Sequence, residues 1–209
     1  MFFTIYSMQR TPADIQREKL NEIVKNILKD EYISIHITDV NIKEKLDADV
    51  SDVVCKYQLS SQDKQETIKS SGRGIIDALY NGFINKMGKK HPSLEELRIV
   101  DFNLNAEGLK KYKVTPGTQA FVEAHLMIRG INRESMFFHS RSRSINSATI
   151  KVVCAVIECF INSELAYVKL KKSYANAKKR NRSDLVEKYN MQMIELVNAN
   201  CYTASADIY

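Results

Sequence analysis

A repeated order of predicted elements constrains this chain more strongly than any other feature of its sequence. Three segments with strand-like alternation of apolar and polar residues precede one apolar helix, and the same order recurs roughly 70–80 residues later. The strands are predicted at residues 32–40, 50–60, 65–70, 97–105, 119–129 and 135–141, and the helices at residues 75–87 and 145–165. The two copies share this pattern without evident sequence identity. Such strand runs, each followed by one covering helix, are typical of an α+β fold with helices packed on antiparallel sheets.

Two further helices are predicted outside the repeat. Pro12–Asp30 has apolar residues at helical spacing and a proline near its start, where proline is tolerated. Asp184–Val197 forms a short amphipathic pattern, and its apolar face is expected to dock on the body of the protein or on a partner. The full prediction is therefore two strand-strand-strand-helix units with an N-terminal helix and a C-terminal helical tail.

The positive charge of the chain is concentrated in one short segment. The 209 residues include 31 basic and 25 acidic ones, which gives a net charge of +6. Seven basic residues lie in the segment 169–182 without an acidic one: Lys169, Lys171, Lys172, Lys178, Lys179, Arg180 and Arg182. Without these seven, the chain has 24 basic and 25 acidic residues, so a general nucleic-acid binder is not expected. The segment itself is either a solvated helix or linker, or a surface for an acidic partner.

The remaining residue types indicate a soluble cytoplasmic protein without a metal or cofactor. The four cysteines lack zinc-site spacing, and buried free thiols in a reducing compartment are expected. The four histidines have no metal-ligand spacing, and no nucleophile–base set is visible. The first residues lack a signal-peptide pattern, and no apolar run approaches the roughly 20 residues needed to cross a bilayer.

Two predicted helix starts are the candidate binding positions. Gly72-Arg73-Gly74 lies between a strand and a helix, where free backbone N–H groups could hold a carboxylate or phosphate. The alternative is a purely structural turn, because the other residues of a phosphate-binding loop are missing. At the second start, Ser144 is predicted to cap the helix, and Ser142 could face a bound carboxylate.

Four segments of the chain form a set of motifs in a fixed order. They are SGRGIIDAL at Ser71–Leu79, HPSLEELRIVDF at His91–Phe102, PGTQA at Pro116–Ala120 and the apolar helix start at Ser142–Ile157. In order and spacing they resemble the C-terminal regulatory domain of the 2-isopropylmalate and citramalate synthases. That domain has a G-x-G-P-[VI]-[DN]-A turn, a strand ending in an aspartate–aromatic pair, a G-T-x-A stretch and a closing helix. The Leu-x-x-Leu segment within HPSLEELRIVDF makes the citramalate branch the closer match.

The resemblance covers roughly Val50–Leu165 and implies a function. The family's domain forms a homodimer and binds leucine or isoleucine near the dimer interface. Carried over by motif, the ligand-binding residues would be Gly72, Gly74, Asp77, Ala78, Gly117, Thr118, Ala120, Ser142, Ile145 and Ala148. The chain then divides into residues 1–49 as a lead-in helix and strand, 50–165 as the regulatory domain and 166–209 as the basic tail.

The catalytic barrel of these synthases has no counterpart in this sequence. A TIM barrel needs about 250 residues, and the resemblance begins near Val50. The expectation is therefore a stand-alone regulatory domain, not an enzyme by itself, that modulates a separately encoded synthase. The chain departs from the family pattern at Ile75, Ser140, Arg141 and Ser144. These departures leave open a ligand-free dimeric assembly module that contacts an enzyme through its basic tail.

Overall fold

The computed structural model describes residues 12–107, 121–130 and 135–198. It confirms the predicted α+β fold. The helices are α1 (Pro12–Leu28), α2 (Ile75–Met87), α3 (Ile145–Lys179) and α4 (Ser183–Asn198), and the strands are β1 (Ile35–Lys45), β2 (Val50–Leu59), β3 (Gln65–Gly72), β4 (Arg98–Glu107), β5 (Phe121–Arg129) and β6 (Ser135–Ser142). Three short 3₁₀ turns, at Lys29–Glu31, Leu46–Ala48 and Pro92–Leu94, connect some of these elements.

The strands form two separate three-stranded antiparallel sheets. Their orders are β1-β2-β3 and β4-β5-β6, so each sheet is a meander of neighbours in sequence. The first strand of each sheet has an irregular register, between Ile37 and Asp39 in β1 and between Ile99 and Asp101 in β4. The predicted repeat is thus also a repeat of three-dimensional structure.

Each sheet buries one face under the helix that follows it. Helix α2 covers β2 and β3, and α3 covers β5 and β6. In β2, alternate residues Val53, Cys55 and Tyr57 are buried, and the Tyr57 ring meets Phe83 of α2 edge-on at 5.5 Å. Because α2 and α3 also contact each other, both units share one hydrophobic core.

The two strand-to-helix junctions repeat at the level of sequence as well as structure. Residues 70–78 and 140–148 are identical at four of nine positions, which corrects the expectation of a repeat in pattern alone. In the first junction, the Ser70 hydroxyl donates to the Ala78 carbonyl at 2.6 Å, and Ser140 donates to the Ala148 carbonyl in the same way. The shared serine ties the end of the last strand to the first turn of the covering helix.

Helix α3 is longer than the sequence predicts. Its apolar stretch was expected to end at Leu165, but the helix continues to Lys179, because Ala166, Leu170 and Ala177 still face the core. The proposed boundary between residues 165 and 166 therefore falls inside one continuous helix. Helix α4 folds back on α3 and buries Leu196 completely. The amphipathic helix therefore docks on the body of the protein, which is one of the two predicted possibilities.

Polar side chains buried on α3 join it to the first unit. Asn162 is 1% exposed, and its amide accepts from the Ile33 N–H at 2.8 Å and donates to the Ile33 carbonyl at 2.7 Å. One turn before it, Glu158 accepts from the Ile35 N–H at 2.6 Å. Near the other end of the core, Glu164 accepts from the Ser93 N–H at 3.1 Å. The bonds of Asn162 and Glu158 hold the segment that enters β1 against α3, and the bond of Glu164 holds the turn at Pro92–Leu94.

Candidate functional site

The first helix start is closed by its own side chains. One carboxylate oxygen of Asp77 accepts from the Arg73 N–H at 2.9 Å, and the other accepts from the Asn81 amide at 2.9 Å. Gly74 has φ +89°, a conformation that favours glycine. Since both oxygens of Asp77 already have partners within the junction, this geometry favours the structural-turn alternative. A contact between Asp77 and a ligand ammonium stays a prediction.

Gly72 brings the end of β3 close to the start of α2. A Cβ atom at this position would lie 2.5 Å from the backbone nitrogen of Ala78 and 2.7 Å from a carboxylate oxygen of Asp77. The structure therefore does bring Gly72, Asp77 and Ala78 together, as the resemblance implies. The contact is so close that it leaves no space between Gly72 and Ala78.

The second helix start is capped as predicted. The Ser144 hydroxyl accepts from the Ser147 N–H at 3.4 Å. Ser142 is half-buried, Ile145 is 53% exposed and Ala148 is buried. The other three predicted ligand residues, Gly117, Thr118 and Ala120, lie outside the described residues. Within the described part of the chain, no hydrogen bond joins residues of one helix start to those of the other.

A groove between β1 and α3 lies beside this second start and was not predicted. Its volume is about 530 Å³. The walls are residues 35–40 of β1 and Ser147, Ile150, Lys151, Cys154, Ala155 and Glu158 of α3. Its two walls are more than 100 residues apart in the chain, so no local sequence pattern predicts it. The one sequence feature that could have indicated the groove is Glu158, a charged residue within a predicted apolar helix.

Glu158 is the electrostatic feature of the groove. Burial raises the pKa of this carboxyl, while the bond from the Ile35 N–H and the nearby Lys25 ammonium act in the opposite direction. No lysine or arginine among the described residues forms an ion pair with it. Burial, reinforced by the Glu158 charge, also raises the pKa of Tyr32 to about 12. The groove thus contains a partly desolvated carboxylate that has the Lys25 ammonium nearby but forms no ion pair with a described residue.

Two of the seven basic residues predicted for partner binding form ion pairs within the chain. The Lys169 ammonium lies 2.7 Å from a carboxylate oxygen of Glu31, and the Arg182 guanidinium donates twice to Asp184, at 3.0 and 2.7 Å. Hydrogen bonding to Arg182 lowers the pKa of the Asp184 carboxyl. The other five, Lys171, Lys172, Lys178, Lys179 and Arg180, are exposed along the last turns of α3 and just after it. A surface for an acidic partner would consist of these five.

The described residues contain little that could carry covalent or metal chemistry. Within residues 12–107, 121–130 and 135–198, no group of three or more histidine, cysteine or acidic side chains could hold a metal ion. Cys55, Cys154 and Cys159 are buried thiols outside any disulfide, as expected, and Cys201 lies outside the described residues. Burial raises the pKa of the Cys55 thiol to about 11 and that of Cys154 further, which disfavours the reactive thiolate.

Comparison with known proteins leaves the family open. No protein-family model matches the sequence, and no curated protein matches it significantly. The resemblance to the synthase regulatory domain therefore rests on the sequence motifs and stays a prediction.

Helix α3 is relevant to the expectation that no apolar segment is long enough to cross a membrane. By length and composition, Ile145–Lys179 is apolar enough to cross a bilayer, although no such stretch was expected. Of its most apolar window, 61% is buried inside the protein, as in the core helix of a soluble protein. The helix is weak evidence in either direction, and a cytoplasmic location stays a prediction.

The unpaired Glu158 predicts a pH-dependent gain in stability when its charge is removed. We expect Glu158→Gln to raise the melting temperature at pH 7–8 by about 2–4 °C, because glutamine still accepts from the Ile35 N–H without a desolvated charge. The pKa of Glu158 is raised in the folded state, so the wild type is favoured below the pKa of the unfolded chain and loses stability as pH rises. The advantage of the variant should therefore shrink towards pH 4.

Thermal unfolding followed by circular dichroism between pH 4 and 8 measures this effect. The other titratable or charged groups near Glu158 are Lys25 on α1, Tyr32, His36 and Asp39 on or before β1, and Lys151 and Cys154 on α3. His36→Asn serves as the control for the histidine that lines the same groove. A Glu158→Gln variant that is less stable than the wild type at every pH would contradict the prediction.

Proposed function

We propose that this protein is a regulatory and dimerisation domain of the kind found in 2-isopropylmalate and citramalate synthases. In this proposal it binds a branched-chain amino acid, or a related small acid, in the cytoplasm. It forms a homodimer, modulates a separately encoded synthase and catalyses no reaction itself. The observation that carries the proposal is the pair of strand-strand-strand-helix units with matching junctions at residues 70–78 and 140–148.

The physical properties of the described residues support a small amphipathic effector. The second helix start, beside the groove, presents polar backbone groups that suit a carboxylate. The groove is mostly apolar and its volume of about 530 Å³ is within the usual range for small-molecule sites. The groove thus offers an apolar surface for a branched side chain and polar groups that would fix the orientation of the ligand.

The ligand-free assembly module remains the second candidate. It is favoured by the first helix start, where Asp77 has both oxygens bonded within the junction. The five exposed basic residues at the end of α3 would then contact an acidic surface of an enzyme. Both candidates share the predicted homodimer and differ in whether an amino acid binds.

Isothermal titration calorimetry with leucine, isoleucine and valine tests the proposal. We expect saturable heat from at least one of them at millimolar concentration or below, and none from the matching D-amino acid. Absence of heat from all three at several millimolar would reject the sensing function. If light scattering then still shows a dimer, the assembly module is supported.

A further inference from the structure

We propose that the groove between β1 and α3 holds the primary ammonium group of a small ligand with a branched apolar chain, and that Glu158 is its counter-ion. The inference deepens the proposed function, since a branched-chain amino acid carries both groups. It assigns the effector to a place that the sequence motifs do not indicate, because the motifs point to the two helix starts.

The charge of the groove is the first reason. The Glu158 carboxylate is half-buried, accepts one hydrogen bond from the Ile35 N–H at 2.6 Å and forms no ion pair with a described lysine or arginine. Lys25 partly offsets this charge without forming an ion pair with it. A ligand ammonium in the groove would add the direct ion pair that the carboxylate does not form with a described residue. A neutral or anionic ligand would not supply it.

The shape and lining of the groove are the second reason. Ile35, Ile37, Ile150, Cys154 and Ala155 provide an apolar wall that can contact a branched side chain. Among the described strands β1 lies at the edge of its sheet, so beyond the Ile35 N–H, which donates to Glu158, its outer backbone groups pair with no other described strand. The groove can therefore offer backbone hydrogen bonds to a ligand next to the apolar wall.

Lys151 provides the opposite charge on the same helix face. It lies seven residues before Glu158, which is two helical turns or about 10 Å along the axis. Its side chain is exposed and lines the groove, and it forms no ion pair with a described residue. A zwitterion between these two residues would meet Glu158 with its ammonium and Lys151 with its carboxylate.

Three probes separate the groups that this site would recognise. They are leucine, 3-methylbutylamine (the ammonium and branched chain without the carboxylate) and isovalerate (the carboxylate and branched chain without the ammonium). By calorimetry, we expect the wild type to bind leucine and the amine at least about tenfold more tightly than isovalerate. Glu158→Gln should weaken leucine and the amine by about tenfold or more, since the ammonium loses its counter-ion.

Glu44→Gln is the matched control, because it removes an exposed carboxylate of β1 that does not line the groove. The affinity of this variant for leucine and the amine should equal that of the wild type. Asp77→Asn tests the first helix start separately. In amide NMR spectra of the wild type, the amine should shift resonances of residues 35–40 and 147–158. This measurement does not depend on the stability of any variant.

The outcomes separate this inference from the proposed function. Leucine binding that is lost in Asp77→Asn and kept in Glu158→Gln would overturn the groove assignment and leave the sensing function intact. Amine binding that depends on Glu158, without binding of any branched-chain amino acid, would support the groove and overturn the proposed effector. If neither leucine nor the amine binds the wild type, the groove inference fails.

Discussion

Replacing Asn162 with alanine is expected to lower the free energy of unfolding by about 3 kcal/mol. The amide is 1% exposed and bonds to both the N–H and the carbonyl of Ile33, at 2.8 and 2.7 Å. Alanine would leave two buried backbone groups without partners, and each such group costs roughly 1–3 kcal/mol. Urea unfolding followed by circular dichroism measures the change.

Asn176→Ala on the same helix provides the control. Its side chain is exposed, so the substitution should change the free energy of unfolding by less than about 0.5 kcal/mol. Asn162→Asp should cost at least as much as Asn162→Ala at neutral pH, because it buries a carboxylate against the Ile33 carbonyl and one turn from Glu158. A loss below about 1 kcal/mol for Asn162→Ala would show that the bonds to Ile33 contribute little.

The hydrogen bonds of Asn162 also help to position one wall of the groove. Asn162 and Glu158 are one turn apart on α3, and they hold Ile33 and Ile35 at the entrance to β1. The edge strand that forms one groove wall is therefore positioned by the helix that forms the other. A ligand that draws the Glu158 carboxylate away from the Ile35 N–H would act directly on this connection between the units.

The fold could be predicted because the signals that determine it are local. In β2, burial alternates through Val53, Cys55 and Tyr57, which is the alternation visible in the sequence. Helix α2 begins and ends at the predicted residues, Ile75 and Met87, since apolar spacing and flanking glycines define it. Local periodicity was sufficient wherever one face of an element packs on one neighbour.

Element ends that depend on distant partners were predicted less well. Strand β1 was expected at residues 32–40 and is found at Ile35–Lys45, because pairing with β2 extends the hairpin through polar residues. The end of α3 moved from Leu165 to Lys179 for a similar reason. There, a few small or apolar residues facing α1 and α4 are enough to keep a polar segment helical.

In the candidate site, too, local features could be predicted and contacts between distant residues could not. The helix-start residues were identified from local motifs, and the cap at Ser144 was confirmed. The groove was not identified, because it exists only where residues 35–40 meet residues 147–158. A charged side chain such as Glu158 within an apolar helix indicates that something polar faces it, but the sequence does not say what.

Gly72→Ala is the second substitution with a large expected effect. The added Cβ would lie 2.5 Å from the backbone nitrogen of Ala78 and 2.8 Å from the carbonyl carbon of Asp77. Backbone atoms of a helix start cannot move aside as a flexible side chain can, so β3 and α2 would have to separate. We expect a loss of about 2–4 kcal/mol in the free energy of unfolding, measured by urea titration.

The second junction supplies the matched control for this substitution. Ser142 occupies the position equivalent to Gly72 and already carries a Cβ atom, so Ser142→Ala should change stability by less than about 0.5 kcal/mol. Adding Asp77→Ala to Gly72→Ala should not restore stability, because the closest contact is with the backbone of Ala78. Restoration by that second substitution would instead place the conflict at the Asp77 carboxylate, and the first helix start would then have room for a ligand once this side chain moves.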